Sequence, residues 1–437
     1  MIWWVYNLVF PLVFAFMLPH FLWRMIRRGG YAHNFSQRFG RYGPEETALL
    51  DAPGRPIWIQ AVSVGELAVA FSFMEEFRRR DPSVRFILTT NTSTGHALAL
   101  KKIKAPDVTL YFPMDVPWVV PRVLRRFHPS AVVLVENEMW PNLIRYAGKQ
   151  GIPSVMINGR ISPHSYRGYR KIRLITRRLL PRIHWFCVQT EGDRDRLLAL
   201  GAPPERVEVT GSAKYDIAPT PTAASARARS VLERLAVPAN SLVWVGGSTW
   251  AGEEAALLDI YAEARWKHPG LFLVLVPRHA ERRAEVLEEV AKRKMSVVQR
   301  SRFPDNAPAI SVRPDVLLVD TTGELRGFYA VADLVFVGKS LTQTGGQNPI
   351  EPAKDGKAIL VGPHMENFPV VSIDFLDAQA YRQAADAAGL RSVALELLDH
   401  PEERARLGAA ARELVARKAG AIRLMVNRVQ EAQITPS

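Results

Sequence analysis

Short, unbroken apolar runs separated by stretches of helical periodicity recur along almost the whole chain, and this alternation constrains the fold more than any other feature. The first series runs PIWIQAVS (56–63), VRFILTT from position 84, AVVLVEN from 131, PSVMING from 153, IHWFCVQT from 183 and VEVTGS from 207. A strand with one wet face alternates apolar and polar residues, whereas a strand buried on both faces does not. Runs of this kind, each followed by a helical stretch, predict parallel strands covered by helices on both sides. The same grammar restarts with SLVWVGGST from 241, then LFLVLVPR from 271, VLLVDTT from 316, DLVFVGKS from 333 and KAILVGP from 357. Between the series lies DIAPTPTAASARARS (216–230), rich in Pro, Ala, Ser and Thr, which reads as a linker. A chain of 437 residues exceeds what one core sustains. The expected fold class is therefore α/β, with two doubly wound, Rossmann-like domains facing across a cleft. No period of about 20 to 50 residues repeats, which excludes a solenoid. The residues from Asp399 onward read as one or two terminal helices.

Lys and Arg outnumber Asp and Glu by 57 to 43, a formal net charge of +14. Such an excess bears on partners rather than fold, and nucleic acid, an anionic membrane face or an acidic substrate would each suit it. The first segment, MIWWVYNLVFPLVFAFMLPHFLWRMIRR, separates these options. From Ile2 to Trp23 it has no formal charge, and a helix of that length reaches roughly 33 Å, enough for a hydrocarbon core. It lacks the basic start and small-residue cleavage site of a secretory signal, so residues 1–30 are expected to form a retained anchor. Arg24, Arg27, Arg28, Arg38 and Arg41 all precede the first acidic residue, Glu45, which places the remainder on the cytoplasmic side. Pro11, Pro19 and His20 would also suit an interfacial helix, and both geometries stay open. SYRGYRKIRLITRRLLPR (165–182) concentrates seven basic residues, a surface suited to anionic headgroups; no nucleic-acid motif accompanies it. Cys187 is the only cysteine, which excludes an intramolecular disulfide and fits a reducing compartment.

Ligands of open α/β sheets bind beyond the carboxyl ends of the strands, and the unusual residues stand there. Glu66, in AVSVGELAVAF, is either a helix-start carboxylate favoured by the macrodipole or a general base for a substrate hydroxyl. Glu136 and Glu138, in VLVENEMWPNLI, either face solvent or serve a site, since unpaired burial would be costly. Arg160 in INGRIS and Lys214 in GSAKYD add cations to the same rim. In the second series, WVGGSTWAGEE offers Ser248 and Thr249 at a glycine turn and helix start, where backbone amides accept phosphate. LVPRHAERR places Arg278 and His279 directly after a strand, and DTTGELRGF does the same for Gly323, Glu324 and Leu325. GKSLTQTGGQNPIEPA supplies Gly345 and Gly346, then Asn348, Pro349, Ile350 and Glu351, a carboxylate beside a glycine-rich turn that suits ribose hydroxyls. There is no G-x-x-x-x-G-K-[ST] loop, no G-x-G-x-x-G fingerprint and no H-E-x-x-H pair. DRD at 193–195 reads as a capped helix start rather than a metal site.

In their order, VSVGE, NTSTG, ENEMWPNLI, NGRIS, GSAKYD, GGSTWAGEE, PRH, TTGEL, GGQNPIEPA and GPHMENF resemble the Kdo transferase family, bacterial enzymes that join 3-deoxy-D-manno-octulosonic acid to the lipid A precursor. The resemblance covers essentially the whole chain. It implies a two-domain glycosyltransferase of the GT-B type at the cytoplasmic face of the inner membrane. The donor would be CMP-Kdo, the reaction inverting, and no metal or other cofactor would be needed. The implied division is an anchor at 1–30, an acceptor-binding domain at 31–215, a linker at 216–240 and a CMP-sugar-binding domain with the terminal helices at 241–437. Glu66 matches the family's proton acceptor, and Glu136 and Lys214 match its transition-state stabilisers. Pro277 and Arg278, Gly323 to Leu325, and Asn348 to Glu351 match the CMP-contacting stretches. The implied partners are the donor, the lipid A precursor and the anionic leaflet, with nucleic acid not among them.

Overall fold

A computed structural model describes residues 32–216 and 220–434, together with Trp3, Tyr6, Asn7, Leu8 and Pro11. Most of the expected anchor, residues 1–30, lies outside the described residues. Among the described residues no helix is long and apolar enough to cross a membrane.

The chain forms two compact units, residues 1–216 with 419–437 and residues 217–418. The sheet of the first unit contains β1 (Ile57–Gln60), β2 (Phe86–Thr90), β3 (Val108–Tyr111), β4 (Ala131–Val135), β5 (Ser154–Gly159), β6 (Trp185–Val188) and β7 (Val207–Val209). Its order is β3-β2-β1-β4-β5-β6-β7, parallel throughout. Every residue of β1 to β5 is buried, as the unbroken apolar runs require. The two-residue strand period sorts them into two cores. Trp58, Val132 and Leu134 pack on one face with Phe127 and Phe186, while Ile57, Ile59, Val133 and Val155 pack on the other with Phe73 and Phe77.

The second unit repeats the arrangement with β8 (Val243–Thr249), β9 (Phe272–Pro277), β10 (Val297–Gln299), β11 (Val316–Leu318), β12 (Leu334–Val337), β13 (Ala358–Val361) and β14 (Arg382–Gln383), in the order β10-β11-β9-β8-β12-β13-β14. Its pairs are also parallel.

Two boundaries differ from expectation. The stretch expected as a linker, 216–240, contains the helix Thr222–Arg234, which buries Ala228, Val231 and Leu232. Small residues let it approach the helix Leu325–Val331 closely: a Cβ on Gly327 would stand 2.6 Å from the Ala224 carbonyl oxygen. The low apolar content that suggested a linker is what close helix packing uses here. The last helix, Ala421–Ile434, belongs to the first unit and not the second. Its buried Ile422, Met425, Val426 and Val429 follow the i, i+3, i+4, i+7 spacing of one helical face and join the core around Ile59 and Phe73. Asp216 accepts hydrogen bonds from the Gly420 and Ile422 amides at 2.5 and 2.6 Å. Arg428 pairs with Glu208 at 2.6 Å and covers the Trp185 ring.

Candidate functional site

The strand order reverses between β1 and β4 in the first unit and between β8 and β12 in the second. At such a reversal the connecting helices depart to opposite faces and leave a crevice beyond the strand ends. The candidate residues of each unit collect around its reversal.

In the first unit, β1 runs through Ala61 to Val62 into the helix Val64–Arg80, and Glu66 stands in its first turn. Ser63 caps the helix, its hydroxyl oxygen accepting from the Glu66 amide at 3.2 Å. The Glu66 carboxylate turns back to accept from the Val62 amide and the Ser63 hydroxyl, both at 2.8 Å. This is a variant of the capping box, in which the carboxylate reaches the amide one residue before the cap. The structural role weighed from sequence is thus present, and it also fixes the carboxylate at the crevice.

Across the reversal, β4 is followed by Glu136, whose φ of 57° lies in the left-handed region. Asn158, at the end of β5, shares that conformation with φ 52°. Non-glycine residues held there cost on the order of 1–3 kcal/mol each and need dense local support. The fully buried Asn158 supplies it: its Nδ2 donates to Glu136 at 3.3 Å, and its Oδ1 accepts from the Ala213 amide at 3.0 Å. That second bond fixes the turn Ala213–Tyr215, which carries Lys214. Burial and then the Glu66 charge raise the Glu136 pKa, while Lys214 and Arg160 pull it down. The Lys214 pKa is lowered by burial, against the opposing pull of Glu136. Glu66, Glu136, Lys214 and Arg160 therefore share one electrostatic neighbourhood.

Glu138 completes the group. It accepts from Trp140 Nε1 at 2.7 Å and from Gln60 Nε2 at 3.2 Å, and burial, opposed by those bonds and aided by Glu66 and Glu136, pushes its pKa up to about 7. Gln60 is buried at the end of β1 and is held in turn by Thr89. The sequence marked Glu138 as two residues from Glu136; it gave no sign of Gln60 or Asn158, whose work is to orient the carboxylates.

In the second unit, Glu253 opens the helix after β8 and accepts from the amides of Trp250, Lys339, Ser340 and Leu341 at 2.8–2.9 Å. The helix start beside Ser248 and Thr249, expected as a phosphate cradle, is thus bound up with an internal carboxylate that ties the loop after β8 to the loop after β12. The stretch 345–368 is laced in the same way. Gly345 and Gly346 take φ of 126° and 70°; the Gly345 amide donates to Glu366 at 2.6 Å, and its carbonyl oxygen accepts from the Asn367 amide at 2.8 Å. A Cβ on Gly346 would meet Met365 Sδ at 2.6 Å. The second loop holds the first in place.

Asn348 Oδ1 accepts from the Ile350 amide at 3.1 Å, and Pro349 and Ile350 are buried, which leaves Asn348 and Glu351 as the half-exposed groups of that turn. Burial raises the Glu351 pKa, against the pull of Arg326, Asn348 and Arg278. Arg278 is exposed directly after the buried Pro277. Arg326, which the sequence did not single out, therefore joins Arg278 and Glu351. Gly323, with φ 89°, is exposed, whereas the Glu324 carboxylate is taken up by Arg300 at 2.9 Å and Thr321 at 2.8 Å. What residues 323–325 offer a ligand is accordingly backbone. Asp193, from the rejected acidic pair, accepts from its cap Thr190 and from the Ile161 amide. Among the described residues no cluster of three His, Cys, Asp or Glu could hold a metal ion.

Comparison with known proteins extends these findings. Residues 33–217 match the family described as 3-deoxy-D-manno-octulosonic-acid transferase (kdotransferase). The chain is 33% identical over 432 residues to the 3-deoxy-D-manno-octulosonic acid transferase of Bordetella pertussis, covering 96% of each chain. It is 30% identical over 409 residues to that of Haemophilus influenzae, covering 91% of each. Among solved structures it resembles a glycosyltransferase from Rickettsia africae, with TM-score 0.55 and 12% identity over 87% of this chain and 98% of that one. A UDP-GlcNAc 2-epimerase from Neisseria meningitidis gives TM-score 0.55 and 16% identity over 86% of this chain and 100% of that one. These two likenesses establish the fold, a pair of parallel-sheet α/β units resembling GT-B glycosyltransferases, and leave the chemistry to the residues.

Proposed function

The chain belongs to the 3-deoxy-D-manno-octulosonic-acid transferase family, and from that premise we propose that it moves Kdo from CMP-Kdo to a sugar hydroxyl of the lipid A precursor, with inversion and with Glu66 as general base. The acceptor oxygen attacks the anomeric carbon as the bond from that carbon to the CMP phosphate breaks, and the hydroxyl proton passes to the Glu66 carboxylate. The observation that carries this reading is the electrostatic group of Glu66, Glu136 and Lys214 at the β1/β4 crevice. Positive charge grows on the anomeric carbon and negative charge on the departing phosphate, so a fixed carboxylate near one and a fixed cation near the other both lower the barrier. Glu136, held by Asn158, suits the first task. Lys214 suits the second. In the second unit the ribose hydroxyls fall to Asn348 and Glu351, and the cytidylate to the backbone of 323–325 and to Pro277 and Arg278. Charge is balanced by these side chains, and the scheme requires no metal.

The basic helices spanning Pro163–Leu179 support association with an anionic leaflet, since they also leave Ile172 and Leu174 exposed among their arginines. The test is direct: incubate the full-length protein with CMP-Kdo and tetra-acylated lipid A precursor and record the acceptor by mass spectrometry. Addition of whole Kdo residues with release of CMP is expected; an unchanged acceptor from folded protein contradicts the assignment.

A further inference from the structure

Three neighbouring strands of the second unit end close together. In the order β9-β8-β12, β9 closes at Pro277, β8 at Thr249 and β12 at Val337. Just beyond these carboxyl ends come His279, Trp250 and Lys339. Lys339 Nζ lies over the Trp250 ring, 4.9 Å from its centroid, and the His279 ring meets Trp250 edge-on with centroids 5.3 Å apart. A cation and two rings thus form one surface at the reversal between β8 and β12, where open α/β sheets take their ligands.

The backbone is bent to put them there. Ser248 and Lys339 both adopt left-handed φ, 54° and 57°, although neither is glycine. Between them the strand ends meet backbone to backbone: the Gly338 amide donates to the Gly247 carbonyl oxygen at 2.8 Å, and a Cβ on Gly338 would stand 2.4 Å from the Ser248 carbonyl oxygen. Glu253 fixes the turn by accepting from the Lys339 and Ser340 amides at 2.8 and 2.9 Å. Gly345 leaves room for the ammonium, since a Cβ there would lie 3.3 Å from Lys339 Nζ. Non-glycine residues held in this conformation cluster at ligand sites, where the surrounding structure over-determines them.

The ammonium has no counter-ion of its own. Lys339 is half-buried, and among the described residues no carboxylate pairs with it. The carboxylates of the adjoining loops are committed elsewhere, Glu253 to four backbone amides and Glu366 to the Gly345 amide and His364 Nδ1. Partly desolvating a charge without pairing it is unfavourable, and a bound anion removes that cost.

We propose that Lys339, held against Trp250, receives the carboxylate of the donor sugar and so selects a sugar acid over a neutral sugar. The inference rests on the Kdo transfer proposed above and deepens it, because the nucleotide has its contacts there and the sugar's own charge has none. In a 2-keto sugar acid the carboxylate and the phosphate oxygen are bonded to the same anomeric carbon. A receptor for that carboxylate must therefore stand beside the nucleotide's subsite. Lys339 meets this condition through both its neighbours: His279 directly follows Arg278, and Gly345 stands three residues before Asn348.

The experiment compares CMP-Kdo, which carries the carboxylate, with CMP, which does not. Lys339→Met keeps the stem over Trp250 and removes the charge. Lys339→Gly removes both and suits the left-handed backbone, which guards against a variant that fails to fold. Steady-state transfer by the full-length proteins yields kcat/KM for CMP-Kdo and, in the same assay, the inhibition constant of CMP. Both variants should lower kcat/KM for CMP-Kdo by roughly 10- to 100-fold, the scale of a hydrogen bond between charged groups, and leave the CMP constant within about twofold. A fall smaller than about tenfold in folded Lys339→Gly, the size a neutral hydroxyl contact gives, would overturn the inference, as would an equal weakening of CMP; Kdo transfer by the parent would stand in either case. A parent protein that transfers no Kdo would instead overturn the reading on which the inference rests.

Discussion

Replacing Glu138 with Gln separates the charge of the first unit's site from its shape. The native carboxyl is raised by burial, with help from Glu66 and Glu136, from 4.5 to about 7. The folded chain therefore keeps a proton that the unfolded chain has lost, and stability falls as pH rises through the window between about 4.5 and about 7. A rise of about 2.5 units corresponds to roughly 3 kcal/mol, and partial contact with solvent reduces this to about 1–2 kcal/mol. Gln does not ionise and escapes the penalty. At pH 5 most of the penalty has yet to develop, and the variant differs from the parent mainly through its altered bonds to Gln60 and Trp140. Between pH 5 and pH 8 it should gain about 1–2 kcal/mol on the parent. Urea unfolding of both proteins in detergent, followed by circular dichroism at the two pH values, measures the change. A stability difference that is the same at pH 5 and pH 8 refutes the electrostatic reasoning.

Gly247→Ala places a Cβ 2.1 Å from the hydroxyl oxygen of the buried Tyr329, a clash expected to cost the second unit about 1–3 kcal/mol, visible by calorimetry as a lowered melting transition. Asp216→Ala leaves the Gly420 and Ile422 amides without their acceptor; loss of about 1–2 kcal/mol of cap energy should speed hydrogen exchange across residues 421–434 by roughly 5- to 30-fold. Lys214→Met removes a cation that lowers the Glu136 pKa, so the acidic limb of the pH–rate profile should move to higher pH; an unmoved limb would show that Glu136 ionisation does not govern the rate.

The parallel sheets were legible because strands buried on both faces cannot hide their apolar runs, and each of those runs became a strand. What escaped was short or marginal: β3, β10 and β14 have four, three and two residues, and those of β10 and β14 are only half-buried. Their pairing comes from neighbours, which composition does not record. The final helix was assigned to the second unit because it follows that unit in the chain; its return to the first is decided by a partner 204 residues away, Asp216. At the site, Glu66, Glu136 and Lys214 were visible as charges after strands. The neutral residues that orient Glu138 and Glu136, Gln60 and Asn158, look in the sequence like any strand-end amide.

The account turns on Glu66 serving both as helix cap and as proton acceptor, and one substitution divides the roles. Gln at the third helical position sustains a capping box as Glu does, so Glu66→Gln should keep the fold and CMP affinity. It removes the basic oxygen and should lower the turnover of Kdo transfer by roughly 10²- to 10⁴-fold. Single-turnover transfer assays with saturating donor and acceptor decide the matter. A folded Glu66→Gln enzyme with CMP affinity unchanged and transfer slowed by that factor is the predicted result; transfer at the parent rate would contradict it.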